Sequence, residues 1–150
     1  LWGDPPYLGL AAFGLLLALG AWRWRRGFVP VLLGLANRAA AVAGFDDFVP
    51  DACLVNHYLP GTRLSLHQDR DEQDFGQPIV SMSLGLPAVF LLGGLQRSDK
   101  TQRVPLNHGD VLVWGGEDRL RFHGVLPIKP GVHPRMGERR INLTLRKAGA

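Results

Sequence analysis

The sequence predicts a mainly β (α+β) protein: a double-stranded β-helix, or jelly roll, with one helix packed ahead of it. Three observations carry that expectation. From Asp51 onward, short apolar runs alternate with turn residues at even spacing, as antiparallel sandwiches and barrels require. The run Arg140-Ile141-Asn142-Leu143-Thr144-Leu145-Arg146 alternates strictly between apolar and polar residues, so its two faces differ in chemistry. Finally, His67 and Asp69 stand two apart in a strand-like run and share a face, while a second histidine, His123, lies in another run far downstream. A jelly roll is the β architecture that brings such residues to one open mouth.

At 150 residues the chain suits one domain with a proper core. Its net charge of +4 fits a polyanionic partner and fits an ordinary Arg-rich protein equally well. The single cysteine, Cys53, rules out an internal disulfide and suits a reducing, cytoplasmic setting. Its apolar neighbours Ala52, Leu54 and Val55 predict a buried structural thiol. The chain starts at Leu1 rather than Met, as a fragment would, and shows no internal repeat.

Residues 1–27 read differently from the rest. Tyr7 to Trp22 is almost wholly Leu, Ala, Gly and Phe, closed by Arg23, Arg25 and Arg26. The run falls short of the roughly 20 apolar residues that span a bilayer, and it lacks the basic start and cleavage site of a signal peptide. A membrane anchor is the less favoured reading, although Trp and Arg at the end suit an interface. A fusion scar or reading-frame error would give the same composition. The remainder, 28–150, is expected to be the functional domain.

From Phe28 to Ala43 the spacing predicts a helix. Pro30 suits its first turn, Val31, Leu32, Leu35, Ala39 and Val42 form its apolar stripe, and Gly44 ends it. Strands follow at Ala52–Tyr58, Arg63–His67, Ile79–Leu84, Val89–Leu92, Arg103–Leu106, Val111–Trp114, Leu120–Val125 and Arg140–Arg146. Pro60-Gly61, Gly85-Leu86-Pro87, Gly93-Gly94, His108-Gly109-Asp110, Gly115-Gly116 and Lys129-Pro130-Gly131 separate them.

Two histidines and one carboxylate form the facial triad of non-haem Fe(II) oxygenases, with positions left open for a co-substrate and O2. HxD with a distant histidine is a weak signal alone. The last strand adds a second constellation. Arg140, Asn142, Thr144 and Arg146 share one face, and two arginines flanking an asparagine offer planar donors to a dicarboxylate. A solvated outer face is the ordinary explanation of such a pattern. Asn56 and Tyr58, two apart on the first strand, add donors. Triad and arginine strand together describe a 2-oxoglutarate pocket better than either does alone.

Five stretches then resemble one family in order: 51–58, 64–72, 83–87, 108–116 and 140–146. They are similar to AlkB, a family of Fe(II)- and 2-oxoglutarate-dependent nucleic-acid dealkylases with a jelly-roll core, and closest to its bacterial DNA-repair members. The resemblance runs from about Val29 to Gly149. It implies that His67, Asp69 and His123 hold catalytic iron, and that Asn56, Tyr58, Arg140, Asn142 and Arg146 hold 2-oxoglutarate. It implies substrate roles for Asp71, at the amino group of the damaged base, for Arg97, at a phosphate, and for Trp114, as an apolar wall near the metal. His57, His108 and His133 match no ligand position. The family places a nucleotide-recognition lid before the helix, and residues 1–27 contain no counterparts of its aromatic and polar residues, so that lid is expected to be missing from this stretch.

The implied reaction is oxidative demethylation of bases such as 1-methyladenine and 3-methylcytosine. It consumes 2-oxoglutarate and O2 and releases formaldehyde. The implied partner is alkylated single-stranded DNA, with RNA as a second candidate; no obligate protein partner is evident. Two other readings stay open: a 2-oxoglutarate oxygenase acting on a non-nucleic-acid substrate, and a truncated, non-catalytic metal-binding jelly roll.

Overall fold

In a computed structural model, residues 27–149 are described. The apolar stretch singled out above, residues 1–26 of it, lies outside them. Helix α1 spans Val29–Val42. Its end is a Schellman motif: Gly44 adopts φ +90°, its N–H bonds the Ala41 carbonyl at 2.9 Å, and Phe45 N–H bonds the Ala40 carbonyl at 2.9 Å. Glycine reaches that backbone region without a Cβ penalty, so Gly44 stops the helix as its sequence suggests. The predicted apolar stripe is not the buried one. Val31, Leu35 and Val42 are exposed, whereas Ala36 and Ala40 are completely buried. These two alanines, four apart and therefore on one face, have side chains small enough for close approach.

The chain divides into two compact units between Leu35 and Ala36, and the second carries every strand among the described residues. In order these are β1 (Ala52–Tyr58), β2 (Leu64–His67), β3 (Ile79–Gly85), β4 (Ala88–Leu92), β5 (Gln102–Leu106), β6 (Val111–Trp114), β7 (His123–Val125) and β8 (Arg140–Arg146). They form two four-stranded sheets, ordered β1-β8-β3-β6 and β2-β7-β4-β5, and every pairing is antiparallel. This is the jelly roll expected. Tyr58, Leu86, Ala88, Phe90, Leu106, Val125 and Ile128 form its buried apolar cluster, with Leu64, Leu92, Val104 and Leu112 packed around it.

Two further expectations need correction. The strand foreseen over Leu120–Val125 begins only at His123. Its first three residues are taken by the end of a 3-10 turn at Gly116–Asp118, where Arg121 N–H bonds the Asp118 carbonyl, and by the Phe122 N–H bond to Gly94. Cys53 is exposed. It lies on β1, an edge strand, and points away from the face that Tyr58 buries, so apolar neighbours in sequence did not mean burial.

Strand β8 departs from the usual rule for a two-faced strand, because both of its faces are covered: Leu143 and Leu145 are buried on one side. Its polar residues Arg140, Asn142 and Thr144 are buried, and Arg146 is half-buried. The strand lies between β1 and β3, and the register carries polarity across all three. Asn142 pairs Asn56 on one side and Ser83 on the other; Arg140 pairs Tyr58 and Gly85; Thr144 pairs Leu54 and Ser81. Buried polar groups need partners, and each strand supplies some to its neighbour.

Candidate metal and dicarboxylate site

His67 closes β2 and His123 opens β7, and the two are register partners on adjacent strands. Between them Gly124 passes so close to β2 that a Cβ there would lie 2.7 Å from the Leu64 carbonyl. A glycine at this position lets the two histidine-bearing strands approach. The rings stand 4.4 Å apart between centroids. Each histidine is oriented by the same local device: His67 Nδ1 donates to the Ser65 carbonyl at 2.9 Å, and His123 Nδ1 donates to the Arg121 carbonyl at 3.0 Å. A carbonyl only accepts, so the proton sits on Nδ1 and each Nε2 presents its lone pair.

Both lone pairs face Asp69. Its Oδ1 lies 3.7 Å from His67 Nε2, and its Oδ2 lies 3.5 Å from His123 Nε2. Ligand atoms of all three residues fall within 4.8 Å of one another, so one ion can touch them all. Two imidazoles and one carboxylate suit a divalent transition metal and leave coordination positions free. Among the described residues this is the one such cluster.

Burial raises the Asp69 carboxyl, but with a proton on each Nε2 in place of a metal, the His123 hydrogen bond and the charges of Arg146, His123 and His67 outweigh it and hold the group below its ordinary value. A lowered folded value means that Asp69 adds stability above the usual carboxylate range and loses it as pH falls through the folded value. In metal-free buffer, melting temperatures of wild type and Asp69→Asn should therefore converge as the pH drops below about 4. Thermal scans from pH 7 to 3 check this, and a constant gap would contradict it.

His67, Asp69 and His123 line one cavity with Asn56, Tyr58, Asn142 and both arginines of β8. Its volume is about 110 Å³, several times the roughly 10–15 Å³ that one water needs, so it admits a small organic acid as well as an ion. Arg140 is almost fully buried and donates one hydrogen bond, from Nη2 to Ser83 Oγ at 2.9 Å. Its Nε and Nη1, and Nε of Arg146, are buried without a hydrogen-bond partner among the described residues. Burial pushes the Arg140 guanidinium below its ordinary value, against the pull of Tyr58 and Asp110. Cationic donors left over in a desolvated wall fit an anionic ligand, and a fork of N–H groups fits a carboxylate. Asn142 is held by Ser81 Oγ at 2.7 Å and the Met82 carbonyl at 3.1 Å, and Thr144 Oγ1 donates to its Oδ1 at 2.8 Å. The polar wall is thus preorganised.

Trp114 is buried, lines the cavity, and lies 5.1 Å from the His123 ring and 5.6 Å from Phe90. It forms an apolar wall beside the triad and is a core residue as well. Asp71 and Arg97 are exposed and outside the cavity lining. Arg97, in the loop after β4, donates to the Leu66 carbonyl beside His67 and lies over the Phe122 ring. His57 is exposed on β1, and His108 accepts the Gly85 N–H and stacks on His133.

Sequence reasoning gave no role to Glu72 and Arg119. They form a buried ion pair at 3.0 Å, and Glu72 also pairs with Arg146 at 2.6 Å. The signal available was a charge that recurs beside each metal-ligand motif, three residues after Asp69 and four before His123.

The profile of the 2OG-Fe(II) oxygenase superfamily matches residues 23–146. The Alpha-ketoglutarate-dependent dioxygenase AlkB of Escherichia coli is 60% identical over 115 residues, covering 77% of this chain and 53% of that protein. The DNA N(6)-methyladenine demethylase ALKBH1D of Arabidopsis thaliana is 45% identical over 108 residues, covering 65% of this chain and 24% of that protein. Among solved structures, OsALKBH1 superposes with a TM-score of 0.69 at 36% identity, over 79% of this chain and 65% of that one. The chain therefore spans about half the length of the bacterial relative it matches. With the cofactors of that superfamily (Fe(II), 2-oxoglutarate and O2) matching the donor set of the cavity, the chain belongs to the 2OG-Fe(II) oxygenases and, within them, to the AlkB family.

Proposed function

We propose that residues 28–150 form an oxidative nucleic-acid dealkylase domain. The observation that carries this reading is a single cavity with a His67–Asp69–His123 cluster and, on Arg140 and Arg146, nitrogens without a hydrogen-bond partner among the described residues. In it, His67, Asp69 and His123 hold Fe(II), while Arg140, Arg146, Asn142, Asn56 and Tyr58 hold 2-oxoglutarate. Bound together with O2, this pair supplies the oxidising equivalents that hydroxylate an N-methyl carbon, 2-oxoglutarate leaving as succinate and CO2.

The chain's residues bind and orient. The two Nδ1–H bonds aim the imidazoles, the guanidiniums neutralise the dicarboxylate, and Trp114 with Phe90 keeps the metal side dry. The hydroxymethyl amine formed on the substrate collapses to formaldehyde and the free base. A methylated base must leave its stack to reach such a cavity, which costs least in single strands. Alkylated single-stranded DNA is accordingly the proposed substrate, RNA the second, and 1-methyladenine and 3-methylcytosine the lesions. A reducing cytoplasm suits the exposed Cys53 thiol. Among the described residues, no helix is long and apolar enough to cross a membrane.

The test is succinate release from Fe(II) and 2-oxoglutarate, with and without single-stranded DNA carrying 1-methyladenine. Release that rises with the methylated strand, and not with its unmodified counterpart, is the expected result. Release indifferent to DNA would favour a non-nucleic-acid substrate, a reading supported by Asp71 and Arg97 standing outside the cavity wall. No release would sink the enzyme reading for this chain.

A further inference from the structure

Arg146 and Asp69 stand where a simple ion pair would spoil the site. Nη1 of Arg146 lies 3.5 Å from Asp69 Oδ1 and 2.6 Å from Glu72 Oε1. One nitrogen thus faces two carboxylates, and the shorter contact goes to Glu72. Glu72 is ion-paired through its other oxygen, where Arg119 Nη2 approaches Oε2 at 3.0 Å without the alignment of a hydrogen bond. Glu72 is 5% exposed and Arg119 2%, and neither lines the cavity. Arg119 also fixes the backbone that carries the metal-facing carboxylate. Its Nη1 donates to the Asp69 carbonyl at 3.0 Å and its Nε to the Gln77 carbonyl at 3.1 Å. Two cations and two anions form a set with no net charge, as burial demands.

We propose that Glu72, anchored by Arg119, is a positioning residue that holds Arg146 off Asp69, leaving that carboxylate to the metal and turning the rest of the guanidinium to 2-oxoglutarate. Without Glu72, the nearest carboxylate to Arg146 is Asp69. A guanidinium and a carboxylate at that range settle into a short, charge-assisted pair, two-pronged where geometry allows. Such a pair would occupy the lone pairs that a metal needs. Arg119 is required because a buried carboxylate with one partner would follow Arg146 rather than restrain it. The inference rests on reading His67, Asp69 and His123 as metal ligands.

Calorimetric titration with Mn(II), a divalent ion that binds without turnover, tests it in four proteins: wild type, Glu72→Gln, Arg146→Met and the double variant. Glu72→Gln should weaken Mn(II) binding about tenfold, the usual scale for a residue behind a metal ligand. In the Arg146→Met background the same change should have no effect, because nothing remains to be held off Asp69. Glu72→Asp should recover part of the lost affinity.

A merely structural role would lower the melting temperature and leave the Mn(II) affinity alone, or act equally in both backgrounds; either result overturns the proposal. If wild type does not bind Mn(II), the metal reading falls and takes the proposal with it. Should Glu72→Gln not fold, Arg119→Lys carries the test, since it keeps a charge beside Glu72 but not the bonds to Asp69 and Gln77. Weakened Mn(II) binding with Arg146 present, and unchanged binding with Met there, supports the proposal; unchanged binding in both overturns it.

Discussion

Replacing Arg140 with Met should raise the melting temperature of the ligand-free protein and abolish its response to 2-oxoglutarate. Both effects follow from one guanidinium, almost fully buried, that has a single hydrogen bond to Ser83 and two nitrogens without partners among the described residues. A desolvated cation so poorly matched is a cost to folding, and an apolar side chain of similar length removes it. The expected gain is about 1–2 kcal/mol, or roughly 3–6 °C for a chain of this size. In wild type, 2-oxoglutarate at a hundred times its dissociation constant should add about 2.7 kcal/mol; in Arg140→Met it should add nothing. Thermal shift with and without 2-oxoglutarate, in Mn(II)-loaded protein, reads both signs at once. A destabilised variant that still responds would show that Arg140 is structural and not a ligand for the dicarboxylate.

Loss of either histidine should abolish succinate formation and Mn(II) binding, but the two substitutions should differ in what else they do. His67 is only half-buried and sits at the end of β2, so His67→Ala should fold with near-normal stability. His123 is buried and packs on Phe90 at 5.7 Å and Trp114 at 5.1 Å. Its removal leaves a void in a packed wall, at a cost on the order of 2–3 kcal/mol. Equal loss of activity with unequal loss of stability, by succinate assay and chemical denaturation, is the expected pattern. Turnover retained by His67→Ala would refute the triad.

The strands were legible because alternation and turn residues are local signals; β1, β6 and β8 have the predicted bounds. The triad was legible for a related reason, since two residues in an extended run share a face wherever that run lies. What was not legible depends on neighbours. The alternation in β8 separates its faces but does not say that the polar one is buried, because that follows from the cavity wall it forms with residues of the other sheet. Cys53 looked buried from its apolar flanks, and only the edge position of β1 explains its exposure. Glu72 meets Arg146 across 74 residues of chain, and no spacing rule spans that distance. In helix α1 Val31, Leu35 and Val42 are exposed while Ala36 and Ala40 are buried, so size and hydrophobicity did not find the buried face.

The position of β8 also sets the order in which the site can come into being. Among the described residues it is the last strand in sequence, yet it fills an inner place in its sheet. A ribosome making this chain releases β1 and β3 long before the strand that joins them, so until residues 140–146 emerge both lack that neighbour. The metal-facing pair β2 and β7 can meet earlier, from a growing chain, whereas the arginine wall cannot. Pairings so distant in sequence form slowly, and the waiting edges are exposed to wrong partners in the interval. The arginine wall of the cavity therefore cannot close before residues 140–146 are made.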